Sequence, residues 1–241
     1  MDALIYTAMS GADHAQRSLA VRANNLANAQ TAGFRSDMAV SSSTAVPGYG
    51  YDSRHQARLD ESAIVHTPGQ LSETGRTLDV AIQGEGYFVL DTDKGTAYTR
   101  AGSFTLDADG VLRSNGQPVR GEGGQIVLPP HSMVNIGKDG TVSVQPQGET
   151  ELQVIDKLLL TKPDPADLTK NERGLLVTRS GMDYPADETV AIAPGHVESS
   201  NVSAVEEMMQ TMQLTRSFDM QMRLFKAADD MADGGNRLLR G

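Results

Sequence analysis

The sequence predicts an α+β protein with a helix at each end and a β-rich middle. Three observations carry that prediction. All ten prolines fall between Pro47 and Pro194, and residues 35–197 hold 19 of the 24 glycines. A helix interior loses about 3 kcal/mol to each proline and about 1 kcal/mol to each glycine, so the ends suit helices and the middle does not. Apolar residues at both ends recur at three-, four- and seven-residue steps, while the middle alternates over short runs broken by Asp-Gly and Asn-Gly pairs.

Residues 1–34 predict the first helix. Ile5, Ala12, Leu19 and Leu26 recur every seven residues with Ala8 and Ala15 between them, a narrow seam of small residues close to a coiled-coil pattern. Thr31-Ala32-Gly33-Phe34 ends it, with Gly33 suited to the left-handed cap position. Residues 35–78 are polar and turn-rich and predict an extended connector. Residues 79–197 predict a β-rich outer domain, with Asp109-Gly110, Asn115-Gly116 and Asp139-Gly140 as hairpin turns between β-forming runs. Residues 198–241 predict the second helix: Ser199, Ser200 and Asn201 offer N-caps, and Glu206 and Glu207 suit the positive end of the dipole. Val205, Met208, Met212, Thr215, Met222 and Phe225 form its apolar stripe, and Gly234-Gly235 is expected to break it. The alanines of the first seam leave room for the methionines and phenylalanine of the second, so the termini are expected to pair as an inner coiled coil.

Composition removes most other functions. A formal charge of -10 and a pI near 4.9 argue against a nucleic-acid partner. There is no cysteine, and the five histidines are scattered, so no metal site, cofactor or thiol chemistry is expected. Asp107-Ala108-Asp109-Gly110 lacks the later ligands of a calcium loop and reads as a turn. Gly121-Glu122-Gly123-Gly124 lacks the Lys-Ser/Thr pair of a phosphate loop. No serine sits in a nucleophile elbow, so no catalytic residue is assigned and no enzyme is expected. No apolar run reaches the roughly 20 residues of a membrane span, and the opening residues lack the basic start of a secretory signal, so membrane insertion and a cleaved leader are not expected. Two narrow-seamed helices that cannot hold themselves together alone point to an assembly protein.

Four blocks then resemble one family. Asn24-Asn25-Leu26-Ala27-Asn28-Ala29-Gln30-Thr31-Ala32-Gly33-Phe34 resembles the N-terminal signature of bacterial flagellar basal-body rod and hook proteins. Gly69-Gln70-Leu71 and the run from Thr74 to Val89 resemble the start of that family's β domain, continued by Tyr98-Thr99-Arg100-Ala101-Gly102-Ser103-Phe104. The tail from Glu198-Ser199-Ser200-Asn201-Val202 to Leu239 resembles its C-terminal helix. The opening residues and the length resemble the proximal rod subunit. The resemblance implies a helically assembling, torque-transmitting shaft subunit in the basal body, crossing the periplasm and exported unfolded by the flagellar type III apparatus. Its implied partners are copies of itself, other rod proteins and the export apparatus. The implied assembly interface is Ile5, Ala12, Leu19, Asn24, Asn25, Leu26, Asn28, Thr31, Gly33 and Phe34 with Val205, Met208, Met212, Thr215, Met222 and Phe225. The alternatives are a distal rod or hook-family subunit, a β-rich periplasmic module that binds peptidoglycan, and a periplasmic hydrolase using Asp79.

Overall fold

The computed structural model describes residues 2–45, 55–148 and 151–240. The chain divides into two compact units: a helical unit of Met1–Ala29, Asp37–Val65 and Val202–Gly241, and a β unit of Gln30–Ser36 and His66–Asn201. An N-terminal helix, a β-rich middle and a C-terminal helix follow one another, the α+β order expected.

In the helical unit, α1 spans Asp2–Ala27 and α2 spans Ala204–Arg240. At 1.5 Å per residue, 37 residues make α2 about 55 Å long. Two sequence expectations are corrected here. The helix runs through Gly234-Gly235 instead of breaking. Two glycines cost about 2 kcal/mol against alanine, a preference that the surrounding helix formers outweigh, and neither adopts positive φ. The cap is also displaced: the first-turn amides of Glu206 and Glu207 turn to Ser203, through its Oγ at 3.5 Å and its carbonyl at 3.0 Å, and not to Ser199, Ser200 or Asn201.

Residues of the expected connector form two strands, β1 (Asp37–Ala45) and β2 (His55–Ile64), paired antiparallel from Asp37↔Ile64 to Ala45↔His55 with an irregularity between Ala39 and Ser41. Most of β1 is exposed, including Met38 and Val40, so no buried face imposed an apolar alternation that the sequence would reveal. Residues 46–54, part of the turn-rich stretch expected as a connector, lie outside the described residues.

The β unit holds the hydrophobic core. A five-stranded sheet orders Leu160–Thr161, Tyr87–Thr92, Gly95–Thr99, Leu176–Thr178 and Leu168–Lys170, and a three-stranded sheet joins His131–Ile136, Thr141–Pro146 and Gln153–Lys157. Val80, Ile82, Phe88, Leu90, Phe104, Leu112, Val142 and Ile192 are fully buried among them, with Phe88 and Phe104 edge to face at 5.2 Å. The three dipeptide turns close hairpins as expected. Asn115 and Gly116 both take positive φ, the geometry that favours Asn-Gly in a two-residue loop. Asp107 is spent on its own turn: its carboxylate accepts from the amides of Asp109 and Val111 and from Arg113 Nε, and the Arg113 hydrogen bond first of all holds it below the usual carboxylate range.

Candidate assembly interface

Within the helical unit, α1 turns a small, polar face to α2. Ala15, Ser18 and Asn25 are buried and Gly11 and Arg22 half-buried, a four-three series one residue out of step with Ile5, Ala12, Leu19 and Leu26. The two helices approach closely at Gly11, where a Cβ would meet the Gln221 side-chain amide at 2.9 Å and displace that flexible end. The matching face of α2 is Glu207, Thr211, Leu214, Phe218, Gln221 and Ala228, buried or half-buried at seven-residue steps from 207 and from 211. Ala12, Leu19 and Leu26 stand half-buried beside the α1 face; the side chain of Ile5 lies outside the described residues.

The α2 stripe read from the sequence is not the face that α1 covers. Val205, Met208, Met212, Thr215 and Met222 are exposed, and Phe225 is at the margin of the inward series. Hydrophobic periodicity assigns the apolar face inward, whereas this helix pair puts mainly small and polar residues inward, with Leu214 and Phe218 among them, and leaves most of the bulky apolar residues outward.

Asn25 explains the N-terminal signature. Fully buried, it donates from Nδ2 to the Asp37 carbonyl at 2.8 Å and accepts the Asp37 amide on Oδ1 at 2.9 Å, so one side chain pins the start of β1 as a neighbouring strand would. Its Nδ2 also reaches Glu207 Oε1 at 3.2 Å, and Arg22 Nη1 pairs with that carboxylate at 3.0 Å. Asn24 and Asn28 serve the helix end: the Asn28 amide and Nδ2 both donate to the Asn24 carbonyl. Asn25→Ala is expected to remove both hydrogen bonds to the Asp37 backbone, costing about 1–3 kcal/mol. Hydrogen exchange should show faster opening of α1 and β1 with no change in the β-unit core; unchanged α1 protection would refute this.

The rest of the signature belongs to the β unit. Gly33, with φ +68, donates its amide to the Glu198 carbonyl at 2.8 Å, and a Cβ on it would collide with the backbone of Arg100 and Ala101. Its role is close approach, since α1 has already ended at Ala27. Phe34 lies under Lys170 Nζ at 4.1 Å and accepts the Asn201 amide at its carbonyl, while the Phe34 amide donates to the Thr31 carbonyl. The Asn201 side chain accepts from the Ser36 amide and donates to the Thr67 carbonyl.

Sequence reasoning missed the ionic cluster beside this loop. Glu198, fully buried, accepts from Arg35 Nη1 at 2.5 Å, Arg100 Nε at 2.7 Å and the Gly69 amide at 2.9 Å. Arg100 also donates to the carbonyls of Gly86 and Gly84 and lies over the Tyr87 ring. His66 Nδ1 meets Tyr87 Oη at 3.1 Å; burial, and then the Arg35 charge, lowers its pKa below 6.5. A depressed histidine adds stability above its unfolded pKa of about 6.5 that is lost as pH falls through the folded value. The β unit is therefore expected to lose stability as pH falls below about 6.5, and His66→Gln to flatten that slope in pH-dependent urea melts; an identical slope would contradict it.

Asp79, the acid a hydrolase reading relies on, is engaged locally. Buried Asp79 accepts from Thr74 Oγ1 at 2.7 Å and pairs with Arg76 at 2.9 Å. Asp139 and Asp187, which line an open pocket with Glu122, Glu188 and Lys157, are held below the usual range mainly by the hydroxyls of Thr141 and Thr189.

The helical ends are gathered into one unit, and an ionic cluster ties distant segments of the β unit together. Three family models match in chain order: flagella basal body rod protein over residues 5–35, flagellar hook protein FlgE/F/G D1 domain over 81–144, and flagellar basal body rod FlgEFG protein C-terminal over 193–238. Flagellar basal-body rod protein FlgF of Escherichia coli is 35% identical over 249 residues, covering 99% of each chain. FlgF of Salmonella typhimurium is 35% identical over 248 residues, again 99% of each. Flagellar basal-body rod protein FlgG of Bacillus subtilis is 33% identical over 251 residues, covering 94% of this chain and 95% of the relative. The chain belongs to the flagellar basal-body rod protein family. It is a FlgF-like structural subunit of the flagellar rod, and its relatives are structural rod proteins rather than enzymes.

Proposed function

We propose that this chain builds the proximal part of the rod by offering the outward face of α2 to neighbouring copies of itself and to other rod subunits. The carrying observation is the inverted helix pair. The described residues of the helical unit bury little apolar surface, Ala15 and Ala228 being their only fully buried apolar side chains, while Val205, Met208, Met212 and Met222 stand outward. Burying one such side chain is worth roughly 1.5–3 kcal/mol, so a neighbour covering several would order a unit that lacks a core of its own. In this reading α1 and α2 form the inner coiled-coil layer from residues 1–34 and 198–241, residues 35–78 connect it to an outer β domain of 79–197, and the flagellar export apparatus delivers the chain.

Met212→Asp tests the reading. The change places a charge on the outward face without touching the Ser18–Asn25 side, so rod completion and swimming should be lost. The β-sheet circular dichroism and melting of the secreted chain should stay at wild type. Normal rods with Asp at that position would overturn the proposal.

A further inference from the structure

All ten methionines described in the structure are exposed, and none enters the β-unit core. This is unusual for a side chain that commonly fills core gaps. Six of them, Met208, Met209, Met212, Met220, Met222 and Met231, lie on α2 at 46–60% exposure. Met209, Met220 and Met231 recur every eleven residues, about three turns, so they share one line of the helix. Met208 and Met212 form a second line beside it, and both lines lie away from Glu207, Gln221 and Ala228, which α1 covers. Met222, eleven residues beyond Thr211, stands at the edge of that covered face and is still 46% exposed.

We propose that these six thioethers are a reversible oxidation site that governs whether the free subunit assembles, an inference that rests on the outward face of α2 being the assembly surface. The oxidant is a peroxide. The thioether sulfur attacks one peroxide oxygen, the O–O bond breaks and an S–O bond forms. Sulfur is oxidised by two electrons to the sulfoxide, and the leaving hydroxide takes up the remaining proton as water. Each sulfoxide replaces an apolar, flexible end by a strong acceptor that a dry interface leaves without a donor. Because the core contains no described methionine, oxidation leaves the β-unit core intact, and the exposed Met133 and Met182 take up oxygen only at its surface. Sulfoxide reductases of both stereospecificities reverse the step, since the sulfur becomes chiral.

The test uses the purified full-length chain with hydrogen peroxide, mass spectrometry to locate the added oxygen, and sedimentation velocity across a concentration series. Peroxide should place oxygen on the α2 methionines and raise the concentration needed for self-association at least tenfold, with β-unit melting unchanged. Treatment with both reductases should restore association. A variant carrying Leu at the six positions should associate equally with and without peroxide, although Met9, Met38, Met133 and Met182 still take up oxygen. Oxidised wild type that associates like the untreated chain, or a Leu variant that loses association equally on oxidation, overturns the proposal. Untreated Met212→Asp separates the two levels: if it blocks association while oxidation does not, only the redox proposal falls. A wild-type chain that stays monomeric throughout overturns the assembly reading and this inference with it.

Discussion

Glu198→Gln is expected to cost the β unit about 3–5 kcal/mol, the usual consequence of removing one partner from a buried ion pair. Glu198 is fully buried and receives two guanidinium groups, Arg35 and Arg100, each almost fully buried as well. Burial already lowers the Arg100 pKa, and the Glu198 charge opposes that first cause. An amide keeps the shape but removes the charge, leaving two buried cations whose other acceptors are the carbonyls of Thr67, Gly84 and Gly86. The melting temperature should fall by on the order of 10 °C. A pair of changes that removes the charges together, Glu198→Gln with Arg35→Gln, should lose less than the sum of the two single changes. Additive losses would show that the cluster is not a coupled unit.

Gly33→Ala and Gly69→Ala form the second large expected effect. Both glycines are pressed against backbone, which cannot rotate away as a side chain would: Gly33 against Arg100 and Ala101, Gly69 against Ser199. Gly33 also needs positive φ, a conformation costing alanine about 1–2 kcal/mol by itself. Adding an overpacking cost of about 1–3 kcal/mol gives a loss of about 3–5 kcal/mol for Gly33→Ala and somewhat less for Gly69→Ala. Gly75 separates strain from collision: it has φ +70 but open space around it, so Gly75→Ala should cost only about 1–2 kcal/mol. Urea denaturation of the secreted chain would measure all three, and equal losses at positions 33 and 75 would remove the collision argument.

What the sequence revealed depended on how local each cause was. The hairpin turns at Asp109-Gly110, Asn115-Gly116 and Asp139-Gly140 were legible because turn chemistry resides in the two residues themselves. The terminal helices were legible from the absence of proline and the scarcity of glycine. The face by which α1 meets α2 was missed by a single residue: apolar spacing selects 12, 19 and 26, while the covered series is 11, 18 and 25. A rule that buries the apolar side misreads a helix pair whose covered face is Gly11, Ser18 and Asn25. The Glu198 cluster was illegible for a different reason. Arg35 and Arg100 lie 163 and 98 positions before it, and nothing in a linear reading brings three charges together. The pairing of β1 with β2 was hidden because a largely exposed strand needs no apolar alternation.

The central claim, that the outward face of α2 is where this rod subunit meets its neighbours, is tested most directly by photo-crosslinking in intact basal bodies. A benzophenone amino acid placed at Met212, and in a second preparation at Ser18, reports which chain each position touches. The account predicts that the probe at 212 captures a second rod subunit and the probe at 18 captures α2 of its own chain. Capture only within the chain at 212, with capture between chains at 18, would show that the faces are assigned the wrong way round.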